Sequence, residues 1–293
     1  MTETHCFVTK KNLVTDHEVD QIEVEFKNHS IKVIEKNRLG SDGLILKIEN
    51  FNETNFTHVE NKLSLDLNFS KEEVRLRKLL LADMDSTIIS VECIDELADF
   101  CGLREEVASI TEKSMDGMID FRKSLVERVK LLRGLSDTKL LQCFEERISL
   151  NSGAITLVRT MKKMNSNAFI ISGGFTFFAD KVASRVGFDK AFANKLVYDG
   201  NFLSGIVEEP ILDRSEKYNI LTKLCKEKSI KKSDVIAVGD GANDIEMITT
   251  AGLGVSYYGK PVLTDVADFK IYHSDLRALL YFQGIRESDF FVG

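Results

Sequence analysis

The chain has 293 residues, room for one large domain or two modest ones at ~100–200 residues each. Hydrophobic residues make up 43% and charged residues 29%, a soluble globular composition that excludes disordered and fibrous classes. Lys and Arg total 39 against 46 Asp and Glu, a net charge of −7, which argues against general nucleic-acid binding because that needs a positive field.

The five cysteines, Cys6, Cys93, Cys101, Cys143 and Cys225, are odd in number and lack C-x-x-C spacing. They predict neither a disulfide framework nor a cysteine zinc site. The histidines are scattered, so no histidine metal site or triad is indicated. No apolar run approaches the ~18 residues of a membrane span, and the N-terminus lacks the layout of a secretory signal. A reduced, cytoplasmic protein with no membrane or nucleic-acid partner is expected.

In chain order, Cys6–Thr9 reads as a short strand. Val19, Ile22 and Phe26 recur at helical spacing behind a possible Thr15-Asp16 cap. Ile31–Ile34 and Leu44–Ile48 read as strands on either side of the Gly40-Ser41-Asp42-Gly43 turn. A short helix at Asn55–Asn61 and a strand at Leu63–Leu67 complete a β-α-β-β-α-β order. Residues 1–75 are therefore expected to form a small α+β, ferredoxin-like domain. Ser70–Lys78 is a charged connection. From Lys78 the pattern is α/β. Leu79–Ala82 is a continuous apolar run, as in a parallel strand buried on both faces. Residues 93–148 read as helical throughout. Phe121, Leu125, Val129 and Leu132 share one face, and Leu140, Leu141, Phe144 and Ile148 share another. Helix Ile155–Met164 and strand Ala168–Ile171 follow, then a hairpin turn at Tyr198–Asn201. Helix Glu216–Lys226, strand Val235–Val238, helix Asp244–Ala251 and strands Gly254–Tyr257 and Phe269–Tyr272 end the series. The expected architecture is a Rossmann-like parallel-sheet core over 76–293, interrupted by a helical cap insertion at about 90–150.

Four motifs carry chemistry. Leu81-Ala82-Asp83-Met84-Asp85 places two carboxylates at the end of a buried strand, where open α/β sheets put their ligands. Alone, a D-x-D is as often a plain turn. Ile171-Ser172-Gly173-Gly174 ends a strand with a hydroxyl and two glycines, so the backbone can approach an anion closely. Lys217 opens a helix and can neutralise phosphate, although a lone helical lysine is usually solvated. Gly239-Asp240-Gly241-Ala242-Asn243-Asp244 supplies two acids and an amide after an apolar strand, in keeping with a hard-cation site such as Mg²⁺. Asp244 has helix capping as its plainer role. Together the four motifs make a phosphoryl-transfer site.

This ordered set resembles the haloacid dehalogenase superfamily. From about Leu80 to Phe282 it resembles the phosphoserine phosphatase family in particular. The likeness rests on Asp83–Thr87, Glu92, Met118–Phe121 with Ser124-Leu125 and Arg128-Val129, Ile171–Phe175 and Val238–Asp244. It leaves out the first 75 residues, although some bacterial members carry an extra domain there, often ACT-like. The resemblance implies Mg²⁺-dependent hydrolysis of O-phospho-L-serine to serine and phosphate, the last step of serine biosynthesis. It implies Asp83 as nucleophile and Asp85 as general acid and base. The metal would lie between the carboxylates of Asp83 and Asp240 and the backbone carbonyl of Asp85. Ser172, Gly173 and Lys217 would hold phosphate oxygens. Asn243 would complete the site, and Asp244 would act through metal waters or Lys217. Glu92 would take the substrate ammonium and Arg128 its carboxylate. Met115 and Phe121 would supply an apolar lining.

Two rivals remain at this level. One is a phosphatase for another small phosphomonoester such as phosphohomoserine. The other is a phospho-acceptor or regulatory protein without useful turnover, against which Asp85 speaks because a general base promotes acyl-phosphate hydrolysis. For residues 1–75, packing or formation of a homodimer is the simpler expectation, ahead of serine sensing.

Overall fold

The computed structural model describes residues 3–52, 54–115 and 118–291, with the backbone alone at Met115. Its N-terminal region is built from β1 (Thr4–Thr9), α1 (Asp16–Asn28), β2 (Lys32–Arg38), β3 (Gly43–Glu49), α2 (Thr57–Leu63) and β4 (Asp66–Ser70). The antiparallel sheet has the order β2-β3-β1-β4. Thr15 does cap α1, in a capping box with Glu18. The last strand starts three residues later than Leu63 because Ser64 takes a left-handed conformation and ends α2. Val19, Ile22 and Phe26 of α1 pack with Val59 of α2 on Cys6, Val8, Leu44, Leu46 and Leu67.

Beyond residue 78 come β5 (Leu79–Ala82), α3 (Cys93–Phe100), α4 (Arg104–Met115), α5 (Phe121–Leu131), α6 (Asp137–Arg147), α7 (Ala154–Lys163), β6 (Asn167–Phe175), α8 (Thr176–Val186) and β7 (Lys190–Asn194). A hairpin of β8 (Leu196–Asp199) and β9 (Phe202–Val207) precedes α9 (Arg214–Glu227) and β10 (Val235–Gly239). Helix α10 (Ile245–Thr250), β11 (Leu253–Tyr257), α11 (Pro261–Thr264), β12 (Phe269–Ile271) and α12 (Ala278–Tyr281) complete the chain. The six-stranded sheet is ordered β12-β11-β10-β5-β6-β7, with its neighbours parallel. Strand alternation divides its side chains between two cores. Leu79 and Leu81 face Leu221 and Leu224 of α9 and Met247 of α10. Leu80 and Ala82 face Leu157 and Val158 of α7 and Val182 of α8.

The helical stretch after β5 is four helices rather than one continuous run, α3 to α6. Gly102 at φ +73 and Gly134 at φ +84 separate pairs of them, a backbone state that glycine adopts without the Cβ clash of other residues. Leu141 is 42% exposed, unlike its neighbours Leu140 and Phe144. It lies one position off the buried stripe, where a 100° step carries it to solvent.

The free face of the N-terminal sheet is covered by the C-terminal segment. Phe7 packs on Phe269 and Phe282 with ring centroids 5.1 and 5.8 Å apart. A Cβ on Gly43 would come within 2.5 Å of the Tyr281 ring, so this approach requires glycine. Strand β4 lies beside β12, and side chains substitute there for a backbone ladder. Asn68 donates to Lys270 O at 2.9 Å and accepts from Lys270 N at 2.8 Å. Asp66 accepts from the amides of Tyr272 and His273 at 2.8 and 2.9 Å.

Candidate active site

The site lies beyond the C-terminal ends of β5, β6 and β10, where the sheet order reverses about its first strand. Chain connections diverge there and leave a crevice. Asp83 leaves β5 with its amide donating to Val238 O at 2.9 Å, which ties it to the strand that delivers Asp240. Asp83 Oδ1 accepts from the Met84 amide at 2.7 Å. Its Oδ2 meets Lys217 Nζ at 2.9 Å and Asn243 Nδ2 at 3.2 Å. Lys217 is 1% exposed and also donates to Asp244 Oδ1 at 2.6 Å.

Asp244 is fully buried, and its Oδ2 accepts from the amides of Asp240 and Gly241, both at 3.2 Å. Burial and the charge of Asp83 push its carboxyl up to about 7. Three donors nevertheless hold the ionised form, and Lys217 is raised because Asp244 and Asp83 outweigh its desolvation. The ionised pair is the form this geometry supports. Asp240 is raised to about 7 by burial, then by Asp83 and Glu92. Carboxylate oxygens of Asp83, Asp240 and Asp244 lie within 4.8 Å of one another. One ammonium among three acids leaves negative charge over, and the available ligands are oxygens, so the cluster fits a hard metal ion.

Asp85 points the other way. Its Oδ1 accepts from the Cys93 amide at 3.0 Å, and its Oδ2 lies 3.5 Å from Ser172 Oγ. Desolvation, then Glu92 and Asp83, push it up to about 8. Gly174 sits so close that a Cβ would fall 2.7 Å from Asp85 Oδ2. Ser172 is buried, and its Oγ accepts the Gly174 amide at 2.9 Å.

The insertion closes over this floor. The Phe121 ring lies over Gly173, 3.3 Å from where a Cβ would stand. That explains why Phe121 is 38% exposed although Leu125 and Val129 of the same stripe are buried. It opens α5 just after the Asp120 cap and faces the cleft. Glu92 accepts from Ser86 Oγ at 2.7 Å. It keeps exposed surface, yet desolvation, with Asp83 and Asp95, raises its carboxyl. Arg128 donates from Nε to Ser124 O at 3.3 Å, and its charge is felt by Asp95 and Glu92. Glu92 thus stands at the turn that follows Asp85, and Arg128 lies on α5 within electrostatic reach of Glu92. The Met115 side chain lies outside the described residues.

Two contributors went unassigned in the sequence reading. Ser86 takes φ +55 and holds Glu92. Cys93, named only among the cysteines that form no disulfide framework or zinc site, holds Asp85 through its amide. A left-handed serine has no sequence signature of its own, but its place in Asp85-Ser86-Thr87 is a pointer to strain at a functional turn.

A paired-carboxylate crevice with a buried lysine and an acidic metal cluster on a parallel sheet defines a phosphoryl-transfer hydrolase. A haloacid dehalogenase-like hydrolase family model matches residues 77–252. The phosphoserine phosphatase of Archaeoglobus fulgidus is 42% identical over 70% of this chain and 59% of its own length. That of Methanocaldococcus jannaschii is 40% identical over 70% of this chain and 96% of its own. A probable phosphoserine phosphatase of Vibrio cholerae, solved without ligand, superposes with TM-score 0.84 at 28% identity, covering 98% of this chain and 88% of that one. The chain therefore belongs to the haloacid dehalogenase-like hydrolases, in their phosphoserine phosphatase family.

Proposed function

We propose that the protein hydrolyses O-phospho-L-serine to L-serine and phosphate through a phospho-aspartate on Asp83. The observation that carries this is the division between the two strand-end acids. The Asp83 carboxylate is aimed by an ammonium and an amide. The Asp85 carboxyl is pushed up to about 8 and so carries a proton at neutral pH. Paired groups driven to different states are how such sites separate nucleophile from acid.

Asp83 attacks phosphorus and the ester P–O bond breaks, while Asp85 passes its proton to the departing serine oxygen. A water then attacks the same phosphorus and gives its proton to Asp85. The P–O bond to Asp83 breaks and phosphate leaves. Ser172, Gly173 and Lys217 hold the phosphoryl oxygens, where electrostatic preorganisation contributes most. Mg²⁺ would be held by Asp83, Asp240 and the Asp85 carbonyl, with Asp244 behind, and would supply charge neutralisation when bound. Glu92 receives the ammonium and Arg128 the carboxylate, with Asn243 and Phe121 completing the pocket.

Residues 1–75 are read as a separate domain. Its outer strand β2 is an open edge, the surface a second copy would use in a homodimer. Among the described residues no helix is long and apolar enough to cross a membrane. The five free cysteines support a reducing, cytoplasmic setting.

Phosphate release is measured from phosphoserine, phosphohomoserine, phosphothreonine, phosphocholine and glycerol phosphate, with Mg²⁺ or EDTA, and with Asp83→Asn. Phosphoserine should lead and should require Mg²⁺ and Asp83. Another ester in the lead would refute the pocket assignment, and an active Asp83→Asn enzyme would refute the mechanism.

A further inference from the structure

Asn194 closes β7 and is 2% exposed. It lies outside every motif that marks the site. Its amide joins two chain segments that both serve the phosphate. Nδ2 donates to Gly173 O at 2.8 Å and to Leu212 O at 3.2 Å, while Oδ1 accepts the Leu212 amide at 2.7 Å. Both amide protons and the carbonyl are thus used, and this pattern fixes which way the group points. Gly173 follows Ser172 near the end of β6. Leu212 stands two residues ahead of α9, the helix that carries Lys217.

The Gly173–Gly174 peptide is a rigid planar unit. Asn194 holds its oxygen, and Ser172 Oγ accepts its N–H at 2.9 Å. The carbonyl contact therefore also sets where the Ser172 hydroxyl sits. The contacts to Leu212 set where α9 begins, and with it the reach of Lys217 toward Asp83. Without Asn194, the part-buried carbonyl of Gly173 and the buried carbonyl and amide of Leu212 lose their shared partner, and the two halves of the cradle are free to shift independently.

We propose that Asn194 is a positioning residue that holds Ser172, Gly173 and Lys217 at the spacing a phosphoryl group requires. This rests on the reading of those three residues as the phosphate cradle. A displacement of ~1 Å at such a site is enough to lower turnover about 10²-fold.

The test uses the full chain with Asn194→Ala and Asn194→Ser, both uncharged, so that any effect on an anion is not one of added charge. Three quantities are compared with wild type: kcat for phosphoserine, inhibition by inorganic phosphate, and inhibition by L-serine, which reads the Glu92 and Arg128 side. The expected result is kcat lower by roughly 10- to 100-fold. Phosphate inhibition should weaken by a similar factor and serine inhibition should stay within about two-fold. Asn194→Ser, which keeps one donor, should fall less than Asn194→Ala. Phosphate and serine inhibition weakening together, unchanged kcat with a lowered melting temperature, or failure of both variants to fold would each overturn the proposal and leave Asn194 a structural residue. Calorimetric binding of inorganic phosphate does not depend on which ester is hydrolysed. A wild-type protein that binds phosphate but ignores phosphoserine would defeat the substrate reading alone.

Discussion

Lys217→Met tests the charge balance of the site directly. The methionine fills similar space, but the ammonium in contact with Asp83 and Asp244 is gone. At 2.9 and 2.6 Å, each contact carries a Coulomb term of about 6 kcal/mol at an effective dielectric near 20, before desolvation is subtracted. Most of that is cancelled by the cost of burying the charges. Removing one partner of a buried ion pair typically destabilises by about 3–5 kcal/mol net. For a chain of this size that is roughly 6–20 °C in melting temperature. The loss should depend on pH. Without the lysine, burial and the neighbouring Asp83 charge are no longer opposed, and the folded-state pKa of Asp244 stands well above the unfolded value of the aspartate side chain. The folded variant then holds protons that the unfolded chain has released, so its stability falls as pH increases through neutrality. Toward pH 4 the unfolded aspartates begin to take up protons as well, the difference between the two states narrows, and the destabilisation should shrink. The assay is thermal unfolding of both proteins at pH 4.5 and pH 8 without divalent ions, together with phosphoserine turnover, which should drop about 10²–10³-fold. A melting-temperature difference equal at both pH values would refute the reasoning, because it would mean that Lys217 acts by packing alone.

Metal binding should follow the same protons. Asp85, raised to about 8, and Asp240, raised to about 7, bind more protons folded than unfolded between roughly pH 4 and 8, so the metal-free protein loses stability as pH rises. Mg²⁺ competes with those protons; its stabilisation, read by thermal shift, should be larger at pH 8 than at pH 5.5, and an equal or smaller shift at pH 8 would count against the acidic cluster as its site. Arg128→Ala should raise KM for phosphoserine by about 10–100-fold, the worth of a charge-assisted contact, and leave kcat/KM for p-nitrophenyl phosphate unchanged; a parallel loss on both substrates would show that Arg128 supports the fold and does not select the substrate. Removal of residues 1–75 would uncover Phe269, Tyr281 and Phe282, all 3% exposed or less. The truncated chain should aggregate or melt lower, and an equally soluble and stable fragment would show that this covering is dispensable.

The legible parts of the molecule are those in which a residue's role is set by its near neighbours in sequence. Leu79–Ala82 reads as a doubly buried strand because every side chain is apolar. Thr15-Asp16 reads as a helix start because the cap is local. The Asp83, Ser172 and Asp240 motifs read as a site because each stands where a strand ends. Leu141 and the breaks inside the insertion were less legible, since a stripe one position wide cannot be separated from its neighbour without knowing what packs on it. Asn194 was not legible at all. A lone asparagine after Phe192-Ala193 carries no periodic or spacing signal, and its value comes from two segments that meet only in three dimensions.

Chain order and composition by themselves determined the class of fold, the order of most of its elements (not α8 and β7) and the types of reacting group, because these depend on local pattern and on residue type. Only the tertiary structure decided how that chemistry is arranged. It turned Asp85 toward Cys93 and Ser172 while Asp83 faces Lys217. It laid Phe121 across Gly173, and it latched β4 to β12 through Asp66 and Asn68. Those outcomes rest on distance and burial between segments up to 207 residues apart, and the energy of a hydrogen bond or a buried charge is defined only once the partner and the surrounding dielectric are in place.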